Sequence, residues 1–129
     1  MLTEKVRILT IDDEEDFCFF VKKNLERIGY EVICAGDGRS GAEFARQRKP
    51  HVVLLDILMP GIDGFEVLQI LKGDDQTQSI PVIMLTGKDD DESRQKAAAL
   101  RNDDYLVKPV ELEELRSRIE KALAKKSRH

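Results

Sequence analysis

The feature that most constrains the fold is an alternation, repeated five times along 129 residues, between a short apolar run and a longer amphipathic stretch. The short runs cover residues 6–11, 31–35, 51–55, 81–85 and 105–107, and each stops at a polar or turn residue. Short apolar segments alternating with helical patterns read as βα units around a parallel sheet. Between the first two runs, Phe17, Phe20, Val21, Leu25 and Ile28 recur at helical spacing and Gly29 closes the segment. The last stretch repeats the pattern with Leu112, Leu115, Ile119 and Leu123. Its acids Glu111, Glu113 and Glu114 lie at the start and Lys121, Lys125 and Lys126 at the end, as the helix dipole favours. Residues 41–48, 64–71 and 91–100 are the cores of the three middle helices. Right-handed crossovers then give an α/β doubly wound parallel sheet, and the length suits the flavodoxin-like (βα)5 form with strand order 2-1-3-4-5. Residues 1–129 are expected to form a single domain with a core of about 5–124, the terminal "KKSRH" being a solvated basic tail.

In an open sheet of this kind ligands bind beyond the carboxyl ends of the strands, where the strand order reverses, here between the first and third strands. The residues delivered there are Asp12 and Asp13 from the first strand and Asp56 from the third. The fourth delivers Thr86 with Gly87, and the fifth Lys108 with Pro109. Each has an ordinary explanation by itself. Asp12 and Asp13 could cap a helix, Asp56 and Thr86 could end strands in turns, and Lys108 could be a surface lysine before a helix-starting proline. Four such residues or pairs on one predicted edge outweigh four separate accidents. Carboxylates gathered there repel one another unless a proton, a cation or a metal relieves the charge. Magnesium suits an oxygen-only site of one or two carboxylates completed by phosphate oxygens and water. Asp56, set apart from the adjacent acidic pair, is the candidate nucleophile for an aspartyl phosphate, with Lys108, Thr86 and Gly87 accommodating the transferred group.

Composition excludes several classes. With 25 acidic and 21 basic residues the net charge is -4, so nothing calls for nucleic acid. Cys18 and Cys34 lack metal-ligand spacing and are expected as apolar free thiols in a reduced, cytoplasmic protein. The opening "MLTEKVRILTIDDEE" is charged and has neither a signal sequence nor a membrane span. His51 begins a strand away from the polar edge and is assigned no role.

The segments "IDDEEDF", "LLDILMPGIDGFEVL", "VIMLTG" and "DDYLVKPVE" together resemble the receiver domain of two-component response regulators over essentially the whole chain. The resemblance implies that Asp56 accepts a phosphoryl group from a phosphohistidine on a sensor histidine kinase or histidine phosphotransfer protein. By position, Asp13 and Asp56 would bind Mg2+ directly, Asp12 largely through water, and Leu58 through its backbone carbonyl. Thr86 and Lys108 would hold the phosphoryl oxygens. Thr86 and Tyr105 would act as the switch, altering the face made by the last two helices and the fifth strand for a downstream protein target or a missing output domain. It also implies a cis peptide before Pro109, a monomer or weak phosphorylation-dependent dimer, and catalysis limited to the chain's own phosphorylation and dephosphorylation. The chain departs from the family pattern at Arg101 and Asn102, where Gly-Ala is usual; of the two, Asn102 better tolerates a left-handed conformation.

Three other functions compete. A magnesium-dependent phosphatase or phosphotransferase of the haloacid dehalogenase type also uses a strand-ending aspartate, but wants a second Asp where Leu58 stands. A flavin carrier on the same strand order would need a phosphate loop where "DDEED" lies. A degenerate receiver acting without phosphorylation is opposed by the full set of acidic pair, acceptor, Thr and Lys.

Overall fold

A computed structural model describes residues 4–127. Met1, Leu2 and Thr3, and Arg128 and His129 of the basic tail, lie outside the described residues. The strands are β1 (Arg7–Ile11), β2 (Glu31–Ala35), β3 (Val52–Leu55), β4 (Val82–Thr86) and β5 (Asp104–Val107). They alternate with α1 (Glu15–Arg27), α2 (Gly38–Arg48), α3 (Gly64–Gly73), α4 (Asp91–Ala99) and α5 (Leu112–Ser127). All neighbouring strands are parallel and the order is β2-β1-β3-β4-β5, the flavodoxin-like arrangement read from the sequence. Among the described residues, no helix is long and apolar enough to cross a membrane.

The period-two geometry of each strand divides the apolar side chains between two layers. Leu9, Ile11, Val53, Leu55, Val82 and Met84 face α2, α3 and α4, where they meet Ala45, Val67, Leu68, Leu71 and Ala97. Ile8, Val52, Leu54, Ile83, Leu85 and Leu106 face α1 and α5, against Val21, Leu25, Leu115 and Ile119. Both faces are covered, which is why the central strands β3 and β4 are buried throughout.

Local chemistry sets the helix starts. α2 begins at Gly38, ahead of the expected 41, because the Asp37 carboxylate accepts the Ser40 N–H at 2.8 Å. Asp63 and Glu66 close a reciprocal capping box at the start of α3. Gly64, the first residue of α3, donates its N–H to the Ile57 carbonyl at 2.8 Å. A Cβ there would collide with the Asp56 carbonyl oxygen and the Ile57 Cα, so only glycine lets the helix start lie this close to the third strand's end.

One expectation needs correction. Cys18 on α1 and Cys34 on β2 are not separate thiols but are joined in a disulfide, their Cα atoms 6.2 Å apart, because the helix packs over its neighbouring strand. The argument from free thiols to a reduced compartment therefore falls away. The positive backbone angle after α4 falls on Arg101 (φ 68°) and not on Asn102. Arg101 recovers part of that cost by donating its guanidinium to the Lys72 carbonyl at 3.0 Å, while the Asn102 amide bonds the Asp104 carbonyl at 2.7 Å.

Gly64→Ala is expected to destabilise the fold by about 1–3 kcal/mol through overpacking against backbone. Asp63→Ala should cost about 1 kcal/mol for the lost cap. Urea denaturation checks both, and a Gly64→Ala chain as stable as the parent would contradict the close-approach argument.

Candidate functional site

Register brings the polar residues together. Ile11 of β1 pairs with Leu55 of β3, so Asp12 and Asp56 leave adjacent strands side by side at the point where the order reverses. The Asp56 N–H donates to the Ile11 carbonyl at 3.0 Å and fixes that alignment. On the other side, Thr86 pairs with Val107, and the Lys108 N–H donates to the Thr86 carbonyl at 2.8 Å. Lys108 is thereby carried to the same edge, and its peptide bond to Pro109 is cis.

Asp12, Asp13 and Asp56 each offer an oxygen lying within 4.8 Å of the others, a group that could hold a metal ion. Asp12 and Asp56 are buried, at 4% and 5% exposure, whereas Asp13 is exposed. Lys108 Nζ lies 2.6 Å from Asp12 Oδ2, 2.7 Å from Glu14 Oε1 and 3.6 Å from Asp56 Oδ2. Its ammonium also sits 4.3 Å from the centre of the Phe17 ring. The other Asp56 oxygen, Oδ1, is buried without a hydrogen-bond partner. An orphaned buried carboxylate oxygen among further carboxylates is a donor set that fits a hard divalent cation.

The electrostatics follow from burial and from these pairs. Burial pushes the Asp12 carboxyl above its ordinary value, opposed by the bond from Lys108, the Glu14 N–H and the Lys108 charge, with Asp56 adding to the rise. For Lys108 burial works downward, but bonds to Asp12 and Glu14 and the charges of Asp12 and Asp56 outweigh it and raise the ammonium.

A cavity of about 680 Å3 opens over Asp56 and Asp13, walled by Phe17, Phe20, Leu58 and Val110. Thr86 is fully buried, and its hydroxyl accepts the Lys88 N–H at 3.3 Å. The Tyr105 hydroxyl donates to the Lys88 carbonyl at 2.7 Å, tying β5 to the loop that follows Thr86. Arg94 of α4 stacks 4.6 Å from the Tyr105 ring centre and grips Asp89 in the same loop. Leu58, in the wall of the same cavity as Asp56, is 58% exposed. All the residues singled out in the sequence thus lie on or next to one edge. Glu14, Phe17 and Arg94 were missed as members of it, because nothing local to residue 14 signals a partner 94 positions away.

This arrangement has many counterparts. The family model for the response regulator receiver domain matches residues 8–120. Protein PilH of Pseudomonas aeruginosa is 41% identical over 118 residues, covering 92% of this chain and 98% of PilH. The alkaline phosphatase synthesis transcriptional regulatory protein PhoP of Bacillus subtilis is 38% identical over 121 residues, 94% of this chain. The chain spans about half of PhoP, 49% of its length. Among solved structures, chemotaxis protein CheY4 of Vibrio cholerae superposes with a TM-score of 0.88 at 30% identity, covering 93% of this chain and all of that one. A CheY-like receiver domain protein from Methanospirillum hungatei gives 0.90 at 28% identity, covering 97% and 98%.

The raised Asp12 value has a stability consequence. In the window between its ordinary and raised values the folded chain binds more protons than the unfolded one, so metal-free stability falls as pH rises through that window. The raised Lys108 ammonium acts likewise at alkaline pH, its contribution being lost as pH rises through its folded value. Asp12→Asn is therefore expected to lessen the fall in thermal midpoint of the metal-free chain across the acidic window. An undiminished fall would contradict the assigned cause.

Proposed function

Since this chain belongs to the family of response regulator receiver domains, which interact with histidine kinases and downstream targets, we propose that Asp56 is its phosphoryl acceptor and that the resulting charge is read by other proteins. The observation that carries the reading is the buried, unpartnered Oδ1 of Asp56, set among two further carboxylates with the Lys108 ammonium within reach of the other oxygen. The receiver unit comprises about residues 5–124 and acts in the cytoplasm, as a monomer or a weak phosphorylation-dependent dimer.

In the reaction an Asp56 oxygen forms the new P–O bond while the P–N bond of a donor phosphohistidine breaks, and the imidazole leaves after taking a proton. Asp13 and Asp56 directly, Asp12 largely through water and the Leu58 carbonyl would hold a Mg2+ ion, which when bound would supply neutralisation of the phosphoryl charge. Lys108 contributes a second positive charge to the phosphoryl oxygens and the Thr86 hydroxyl a hydrogen bond. Gly87, without a side chain, leaves the approach open. Phe17, Phe20 and Val110 give the cavity over Asp56 an apolar wall that a donor protein could cover. The chain catalyses only the gain and loss of its own phosphoryl group.

Thr86 and Tyr105 form the switch. Movement of the Thr86 hydroxyl toward a phosphoryl oxygen disturbs its bond to the Lys88 N–H, and the Lys88 carbonyl is what Tyr105 holds. Binding at Asp56 thus biases the face of α4, β5 and α5, which a downstream protein or an output domain reads. The haloacid dehalogenase alternative is not favoured, since position 58 is an outward-facing leucine and not an acid.

With Mg2+ and acetyl phosphate, the chain is expected to gain one acid-stable, base-labile phosphoryl group, seen by intact mass, and Asp56→Asn should abolish it. Label persisting in that variant would reject the acceptor. Asp13→Asn should weaken Mg2+ binding by about 10–100-fold or more, measured by titration calorimetry, with the fold retained.

A further inference from the structure

We propose that Glu14 is a positioning residue that holds Lys108 away from Asp56 until a phosphoryl group arrives, setting how readily the acceptor is engaged; this rests on Asp56 being that acceptor. The Lys108 ammonium has three donors, and two are committed to Asp12 at 2.6 Å and Glu14 at 2.7 Å, leaving Asp56 at 3.6 Å, beyond hydrogen-bond length. The Phe17 ring lies 4.3 Å from Nζ and offers it a ring face but no hydrogen-bonding oxygen.

The two partners are not equally releasable. The Asp12 side chain is 2% exposed, and losing its cation would leave a buried carboxylate uncompensated. The Glu14 side chain is 63% exposed and returns to water when released. Engagement of a phosphoryl oxygen by Lys108 therefore proceeds by giving up Glu14 and keeping Asp12. Glu14 sits at the N-cap of α1 but makes no side-chain cap, so its carboxylate serves Lys108 and not the helix end. It also lines the cavity over Asp56, where its negative charge faces any anion entering.

The test is the affinity of beryllofluoride, a phosphoryl mimic, in the presence of Mg2+, measured by calorimetry on the parent chain, Glu14→Gln and Glu15→Gln. Glu15 carries the same charge one residue away and is not among the partners of Lys108, so it reports the general effect of removing an acid from this edge. Glu14→Gln is expected to bind about 1.4- to five-fold more tightly than Glu15→Gln, the span that an exposed ion pair of about 0.2–1 kcal/mol allows. The acetyl phosphate reaction should show the same excess in its rate at saturating Mg2+. An added Lys108→Gln change should erase the difference between the Glu14→Gln and Glu15→Gln backgrounds. Equal affinities in the two single variants, or weaker binding in Glu14→Gln, would overturn the inference. Failure of the acceptor reading registers separately, as no beryllofluoride binding by the parent chain, and would overturn both.

Discussion

Everything in this structure turns on carboxylates forced together at one edge of a parallel sheet. Asp12 and Asp56 are adjacent because β1 and β3 are adjacent, and the pairing of Ile11 with Leu55 leaves them no freedom to separate. Asp13 joins from the same turn, and the shared region spans no more than 4.8 Å. Such an edge is unfavourable by itself, and burial makes it more so, as the raised carboxyl of Asp12 indicates. The fold tolerates it because hydrophobic layers on both sheet faces fix the strands, and because Lys108 arrives from β5 with a compensating charge. The strain is electrostatic and is relieved by whatever cation or charge-neutral arrangement the edge acquires.

The same constraint explains how a local event can travel. Asp56, Thr86 and Lys108 stand at the ends of three neighbouring strands, with the Lys108 ammonium 3.6 Å from Asp56 Oδ2. Thr86 touches the loop that Tyr105 holds from β5, and Arg94 of α4 grips both that loop and the Tyr105 ring. The path from Thr86 to α4 is therefore short and made largely of polar contacts.

Much of this was legible in the sequence because parallel α/β folds obey strong rules. The run "VVLL" announces a buried strand, and handedness together with length narrows the strand order to the flavodoxin-like form that the structure has. The gathering of Asp12, Asp13, Asp56 and Lys108 at one edge could be read from strand ends without knowing any contact. What could not be read depends on pairs distant along the chain or on backbone detail. Lys108 reaching Glu14, and Cys18 joined to Cys34 across α1 and β2, follow from packing that no local pattern encodes. The positive φ at Arg101 contradicts residue preference, because the Lys72 carbonyl rewards the arginine side chain in that position. The early start of α2 was missed because Gly38 and Gly41 weaken the helical signal, whereas the Asp37 cap and the close approach of Gly41 to Ile11 favour the helix.

The most direct test of the shared-cation account is reductive trapping of the phosphorylated chain with borohydride, which converts an aspartyl phosphate to homoserine, followed by peptide mass mapping. The account requires homoserine at position 56, formed after incubation with acetyl phosphate and Mg2+ and absent when the ion is chelated. Homoserine at Asp12 or Asp13, or at position 56 regardless of the metal, would contradict it.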